Sequence, residues 1–233
     1  KFVDDISKIL HPDGIWILEL SYLPLMLSQN AFDTIVHEHL EYYHLDALEF
    51  LLSKFDLKVG DIQLNDINGG SFRVVVQHKE KSFDNKSLEH ITKLREKEKN
   101  LGLYTNQPFD DFIKKINDEK NNLVTFIKNE VSTGKTVHCY GASTKGNTLL
   151  QFYDLDKKSI QFIADRNPDK WGRRTIGTDI SIISEEESHS MNPDYFLILP
   201  WHFIKEFKER EKDYLKNGGK LLVPLPQFKV IEA

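Results

Sequence analysis

Seven of the eight residues from 37 to 44 can carry or accept a proton: His37, Glu38, His39, Glu41, Tyr42, Tyr43 and His44, with Leu40 as the single apolar member. Three chemistries use such residues. A zinc protease needs His-Glu-x-x-His, which sets two histidines one helical turn apart, whereas here His39 follows Glu38 directly and the motif is absent. In an extended segment alternate residues share a face, so His37 and His39 with a carboxylate could hold a metal, yet no other ligand cluster in the sequence supports one. An acid/base site needs a group that titrates near neutrality beside a carboxylate, and His39 next to Glu38 supplies both types. For any single histidine a solvated loop is the simpler account. Three within eight positions weigh against it. Tyr42 and Tyr43 could orient a ligand or pack as core and rim.

A second candidate is the stretch GASTKGNT, residues 141–148. Gly141 and Gly146 have the spacing of a phosphate loop, but the lysine must follow the second glycine, and Asn147 stands there while Lys145 precedes it. The dinucleotide pattern G-x-G-x-x-G fails as well, because Ser143 fills the place of the middle glycine. The backbone amides of Ser143, Thr144, Lys145, Gly146 and Asn147, with the Lys145 charge, could still hold a diphosphate at the start of a helix. Asp165, at the end of the following strand, could accept from ribose hydroxyls. The alternative is a turn whose small residues only permit close packing, with Asp165 as the cap of the turn DRNP.

The elements that would place these groups follow from periodicity. Phe2, Val3, Ile6, Ile9 and Leu10 share a helical face, HPDG breaks the helix, and IWILEL reads as a central, buried strand. A single strand of that kind cannot form a sheet alone, so earlier strands are expected upstream. Leu45, Leu48, Leu51, Leu52 and Phe55 form a helical stripe, LKVGDIQL reads as a strand, and NGGSFRVVVQH as a Gly-Gly turn followed by a strand alternating Phe72, Val74 and Val76. That pair closes the end of a Rossmann-like sheet. LEHITKLREKEKNL predicts a helix, YTNQP a loop, and residues 109–132 a helix with an apolar stripe that docks on a second domain. From Thr136 onward strands alternate with helices, with GGKLLVPLP as the last strand, which argues for a small parallel sheet with helices on both faces. The expected organisation is 1–80, 81–132 as a helical connector, and 133–233.

Composition narrows the classes. The 233 residues carry a formal net charge of −5, which argues against nucleic acid as the main partner. One cysteine, Cys139, excludes an internal disulfide and a cysteine-based zinc site, and suggests a reducing, cytoplasmic setting. No apolar run approaches the ~20 residues of a membrane span, and the first residues, KFVDDISKIL, do not read as a signal peptide.

Taken together, DTIVHEHLEYYHL, NGGSFRVVV, YGASTKGNTLLQFY, ADRNPDKWGRRTIGTDI, PDYFLILPW and GGKLLVPLP resemble the sugar C-methyltransferases, S-adenosylmethionine enzymes that act on nucleotide-linked deoxy-4-ketosugars. The resemblance covers nearly the whole chain. It implies an α/β chain holding the end of a class I methyltransferase sheet and then a second, small Rossmann-like domain that binds the nucleotide-sugar. It further implies an N-terminal part of the same protein, with most of the S-adenosylmethionine site, upstream of Lys1. By the same resemblance His39 is the base that removes the hydrogen next to the ketone, with Glu38 and His37 supporting. Residues 141–147 position the nucleotide-sugar, and Ser71 and Arg73 are further candidates at the domain junction. The sequence departs from its relatives at Val36, where many carry tyrosine, at His44, where a small polar residue is common, and at Ile176, where proline is usual. Two other classes fit some of the same residues: a nucleotide-sugar-binding module without catalysis, and an NAD-dependent oxidoreductase using the loop around Lys145.

Overall fold

The computed structural model describes residues 1–65 and 70–233, so Asn68 and Gly69 of the expected glycine turn lie outside the described residues. The chain divides into two compact units, Lys1–Gln29 with Glu41–Asp111, and Asn30–Leu40 with Phe112–Ala233. The architecture is mixed α/β.

The first unit runs α1 (Phe2–Ile9), β1 (Trp16–Ser21), α2 (Leu23–Ser28), α3 (Leu45–Ser53), β2 (Leu57–Asn65), β3 (Ser71–His78) and α4 (Asn85–Leu101). Its sheet has the order β1-β3-β2, and β3 is antiparallel to both neighbours. Phe72, Val74 and Val76 are completely buried, as their alternation predicts, and pack with Tyr22, Leu45, Leu48, Leu52, Ile91 and Leu94. IWILEL departs from its expectation. Within this chain β1 is an edge strand: Trp16, Leu18 and Leu20 pack toward the core, while Ile15 and Ile17 are more than half exposed. A continuous apolar run reads as buried on both faces, but pleating sends alternate residues to opposite sides, and only one side has a core here. Helix α4 begins three residues before its expected start because Asp84 caps it, accepting from the Ser87 amide at 2.9 Å.

The Glu98 carboxylate of α4 is buried and gathers the start of α3. It accepts from the Tyr22 hydroxyl at 2.7 Å and the Leu45 amide at 2.7 Å, and lies 3.2 Å from His44 Nδ1. His44 is the residue before α3, and its side chain makes no capping bond, so a carboxylate from another helix satisfies the first-turn amide. His44 also meets Tyr104 edge-on. The last histidine of the opening cluster is therefore part of this unit's internal polar packing.

The second unit takes α5 (Gln107–Ser132) from Phe112 onward, then β4 (Val137–Tyr140), α6 (Thr144–Phe152), β5 (Phe162–Ala164), β6 (Ser181–Ile183), α7 (Glu185–Ser190), β7 (Tyr195–Ile198), α8 (Ile204–Arg210), α9 (Lys212–Lys216), β8 (Lys220–Val223) and β9 (Lys229–Ile231). Helix α5 starts at Gln107, ahead of the expected 109, since proline is tolerated in a first helical turn. The sheet order is β6-β5-β4-β7-β8-β9, parallel except for β9. GGKLLVPLP is thus not the last strand. KVI, too short and too mixed in character to stand out in the sequence, adds an antiparallel edge. The expected helix over IKEFKEREKDYLKN is broken at Glu211, whose buried carboxylate accepts from Tyr140 Oη at 3.0 Å and Arg210 Nε at 2.9 Å.

The chain leaves β4 toward β5 and β6 on one side and places β7 and β8 on the other. The order therefore reverses between β4 and β7, and right-handed crossovers send the connecting helices to opposite faces. In open α/β sheets the crevice beyond the carboxyl ends of strands at such a switch point is where ligands bind. The turn at residues 141–143 lies at that position.

Candidate active site

All four residues of β4 are buried, and the chain leaves it through Gly141 with φ +87°. A Cβ there would sit 3.0 Å from Pro200 Cδ, and a Cβ on Gly146 would sit 3.0 Å from Leu199 Cδ1. The positive φ and the rigid Pro200 ring require glycine at 141, and Gly146 lets the turn lie close to Leu199, which is the packing alternative raised by the sequence. Ser143 is the cap of α6, its Oγ accepting from the Gly146 amide at 3.1 Å. The Ser143 amide donates to Gly141 O at 3.1 Å and the Asn147 amide to Ser143 O at 2.9 Å. Three of the five amides considered for a diphosphate are therefore committed to building the helix start. Thr144 and Lys145 occupy the first two helical positions, and the Lys145 charge acts on both Asp33 and His202.

Asp165 organises the turn beside it. Its Oδ2 accepts from the Ala142 amide at 2.8 Å and from Lys170 Nζ at 3.1 Å, and its Oδ1 accepts from the Asn167 amide at 2.8 Å. Trp171 Nε1 donates to its carbonyl at 2.7 Å. This is the capping role that DRNP offered in the sequence. Next to it a cleft of about 420 Å³ opens between Gly141, Arg166, Pro200, Phe203 and Arg210.

The segment Asn30–Leu40 belongs to the second unit. Phe32 packs against Phe152 and Tyr153 with tilted rings at centroid distances of 4.7 and 5.4 Å, and the Asn30 side-chain Nδ2 donates to Pro226 O at 2.7 Å. A 3₁₀ turn, Phe32–Thr34, packs on α6, the helix that the 141–143 turn opens. Beyond it the His39 amide donates to Val36 O at 3.0 Å, closing a turn with His37 and Glu38 at its centre. His37 and Glu38 are exposed and His39 is partly buried. The extended conformation that would set His37 and His39 on one face as metal ligands is not formed, and among the described residues no group of three or more His, Cys, Asp or Glu could hold a metal ion.

The structure brings His37, Glu38 and His39 into the same unit as residues 141–147 and Asp165. Ser71 and Arg73 lie in the first unit, on β3. Ser71 is buried at the start of that strand, and Arg73 pairs with Glu19 across the β1–β3 register, with its Nη2 at 3.0 Å and Nε at 3.1 Å from Oε2.

Two residues that sequence reasoning passed over join the cluster. Asp33 is 1% exposed, and its Oδ2 accepts from Trp201 Nε1 at 2.9 Å. Burial pushes its carboxyl above the usual range, against the pull of the Trp201 hydrogen bond and the Lys145 charge. His202, which follows Trp201 in the 3₁₀ turn Trp201–Phe203, is pulled down to about 4 by burial and Lys145, so its ring is neutral at pH 7. The only sequence signal was an aspartate just ahead of the histidine cluster and a tryptophan at the end of a buried strand. Neither has a spacing that announces the pair.

Residues 66–226 match the family model described as C-methyltransferase C-terminal domain. The C-methyltransferase NovU of Streptomyces niveus is 33% identical over 233 residues, which is the whole of this chain and 55% of the relative. The chain thus spans about half the length of the curated relative it matches. On the family match, supported by that identity, the chain belongs to the C-methyltransferase C-terminal domain family.

Proposed function

We propose that this chain works as part of a longer S-adenosylmethionine-dependent C-methyltransferase that transfers a methyl group to the carbon next to the ketone of a nucleotide-linked deoxy-4-ketosugar. The observation that supports the reading is the seating of segment 30–40 on α6, which puts His37, Glu38 and His39 in the unit whose switch-point turn we assign to the nucleotide. Residues 141–147 position the nucleotide-sugar: Lys145 supplies the positive charge for its diphosphate, and Gly141, Ser143, Thr144, Gly146 and Asn147 shape the turn, with Asp165 holding its far side. His39 is the base. A ketone acidifies the hydrogen on the adjoining carbon, and His39 takes that proton while the electron pair passes to the carbonyl oxygen as an enolate, which is then the nucleophile for the methyl group. Glu38 and His37, beside it in the turn, orient the ring and stabilise its charged form. Ser71 and Arg73 are assigned to the substrate as further contacts.

The methyl donor is a different matter. Among the described residues of the first unit, no strand runs into a glycine-bearing turn and helix of the kind that cradles a nucleoside. β1 passes through Tyr22 directly into α2 at Leu23-Pro24. The residues present do not fit that group, so no step through it is assigned to them, and the donor site is placed in the N-terminal part of the same protein.

The test uses the complete protein with a nucleotide-linked 4-ketosugar in deuterated water. His39→Gln should abolish both deuterium exchange at the carbon next to the ketone and methyl transfer, with a fall of about 10²-fold or more. Wild-type rates of exchange and transfer in that variant would remove His39 as the base. A chain acting only as a binding module predicts nucleotide-sugar binding and no dependence of any rate on His39.

A further inference from the structure

Asp33 is poorly explained as a simple structural residue. One oxygen accepts from Trp201 Nε1 at 2.9 Å, across 168 residues of sequence, while Oδ1 is buried without a hydrogen-bond partner among the described residues. An orphaned carboxylate oxygen destabilises the fold, and Phe32 and Asn30 already anchor this segment. What the bond adds is direction. Asp33 lies four residues before His37 and six before His39, and Trp201 stands at the end of β7, on the far side of the switch point from β5.

We propose that Asp33 is a positioning residue for the base: through Trp201 it fixes the segment bearing His37, Glu38 and His39 to the end of β7, in one frame with the 141–147 turn. The proposal rests on the reading of His39 as base. The Phe32 ring holds the segment by apolar contact, which tolerates rotation and sliding. The Asp33–Trp201 bond is directional and buried, with both partners under 10% exposed, so it sets the rotation of the 3₁₀ turn from which the histidine turn departs. The Lys145 charge faces both Asp33 and His202. The segment is therefore tied to α6 by packing and to Trp201 by a hydrogen bond, and it lies in the field of Lys145. A base displaced by about 1 Å loses on the order of 10²-fold in rate even when substrate binds normally.

The test compares Trp201→Phe, Asp33→Ala and Asp33→Asn in the complete protein, reading deuterium exchange next to the ketone against substrate concentration. Trp201→Phe and Asp33→Ala should each lower kcat for exchange by about tenfold or more with KM within about threefold. Asp33→Asn, whose amide oxygen still accepts from the indole N–H, should stay within about threefold of wild type. A kcat within threefold in Trp201→Phe or Asp33→Ala, a loss confined to KM, or an Asp33→Asn variant as impaired as Asp33→Ala overturns the proposal. Backbone hydrogen exchange keeps the question open to refutation if a variant is inactive for other reasons. In Trp201→Phe the amides of Thr34, Ile35 and His39 should exchange about tenfold faster while those of β4 and β7 keep wild-type protection. Unchanged protection at the three amides, or equal loss in β4 and β7, is equally fatal. Because this readout needs no turnover, it separates failure of the seating from failure of His39 as the base, which His39→Gln reports.

Discussion

Replacing Glu98 by alanine should be among the most damaging single changes in the first unit, although the residue sits in the highly charged run REKEK of α4. The carboxylate is 6% exposed and serves the Tyr22 hydroxyl at 2.7 Å, the Leu45 amide at 2.7 Å and, more weakly, the Asp46 amide at 3.4 Å. Tyr22 is 1% exposed and Leu45 is fully buried, so water cannot take over as acceptor. Each orphaned buried group costs about 1–3 kcal/mol. Relief from burying the Glu98 charge returns part of this, and a net loss of about 3 kcal/mol is expected, in line with breaking other buried charged networks. Glu98→Gln should lose less, about 1–2 kcal/mol, because an amide oxygen in the place of Oε1 still accepts both short bonds, while the NH2 in the place of Oε2 cannot accept from the Asp46 amide. The assay is urea unfolding followed by hydrogen exchange at amides of β3, which report this unit alone. The double change Tyr22→Phe with Glu98→Ala removes the hydroxyl that the single change orphans and should recover part of the loss. If Glu98→Ala shifts the stability of this unit by less than about 1 kcal/mol, the account of Glu98 as the acceptor that organises the start of α3 is wrong.

Further outcomes follow from the same kind of reasoning. His138 is 3% exposed, bonded to Ser188 Oγ at 2.8 Å, and burial holds its pKa at about 4 against an ordinary 6.5. The unfolded chain takes up a proton as pH falls below 6.5 while the folded chain does not until about 4, so stability should drop across that window by about 3 kcal/mol. His138→Phe should flatten that part of the stability-versus-pH curve, and an unchanged slope would contradict the assignment. Cys139 is fully buried and burial pushes its thiol up, so a maleimide at pH 8 should label it only at the rate of unfolding; rapid labelling of the native protein would show the β4 core to be open. Lys145→Ala should weaken nucleoside diphosphate binding to the complete protein by about tenfold at low salt and less at high salt, read by calorimetry. Salt-independent or undiminished binding would remove Lys145 from the proposed diphosphate contact.

Much of this molecule was legible from its residues because the signals were local. Alternation fixed the buried face of β3, since pleating leaves no other choice for Phe72, Val74 and Val76. Strands alternating with helices after Thr136 predicted the parallel sheet, and the spacing of His37, Glu38 and His39 excluded the zinc-protease motif. What the residues could not disclose depended on partners far away in the chain. IWILEL has the composition of a central strand, but exposure of Ile15 and Ile17 depends on what lies on each face. KVI became a strand only because β8 offered it an edge. Gly141 and Gly146 have the spacing of a phosphate loop without its lysine, and the sequence also allowed them as packing glycines. A Cβ on either would meet Pro200 or Leu199, which no local pattern brings near them.

The histidine cluster shows the same division. Its chemistry was written in the sequence, because imidazole beside carboxylate has acid/base character wherever it sits. Its address was not. Segment 30–40 lies between α2 and α3 of the first unit in the chain, yet it belongs to the second, held by Phe152, Tyr153, Pro226 and Trp201. The cluster was also split by the fold, with His37 and His39 on that segment and His44 drawn into the Glu98 network of the other unit. Contacts across more than a hundred residues depend on the packing of whole elements, which leaves no periodic mark on the residues that make them. The sequence by itself determined which groups could move a proton; the tertiary structure decided which of them share a unit with the 141–147 turn.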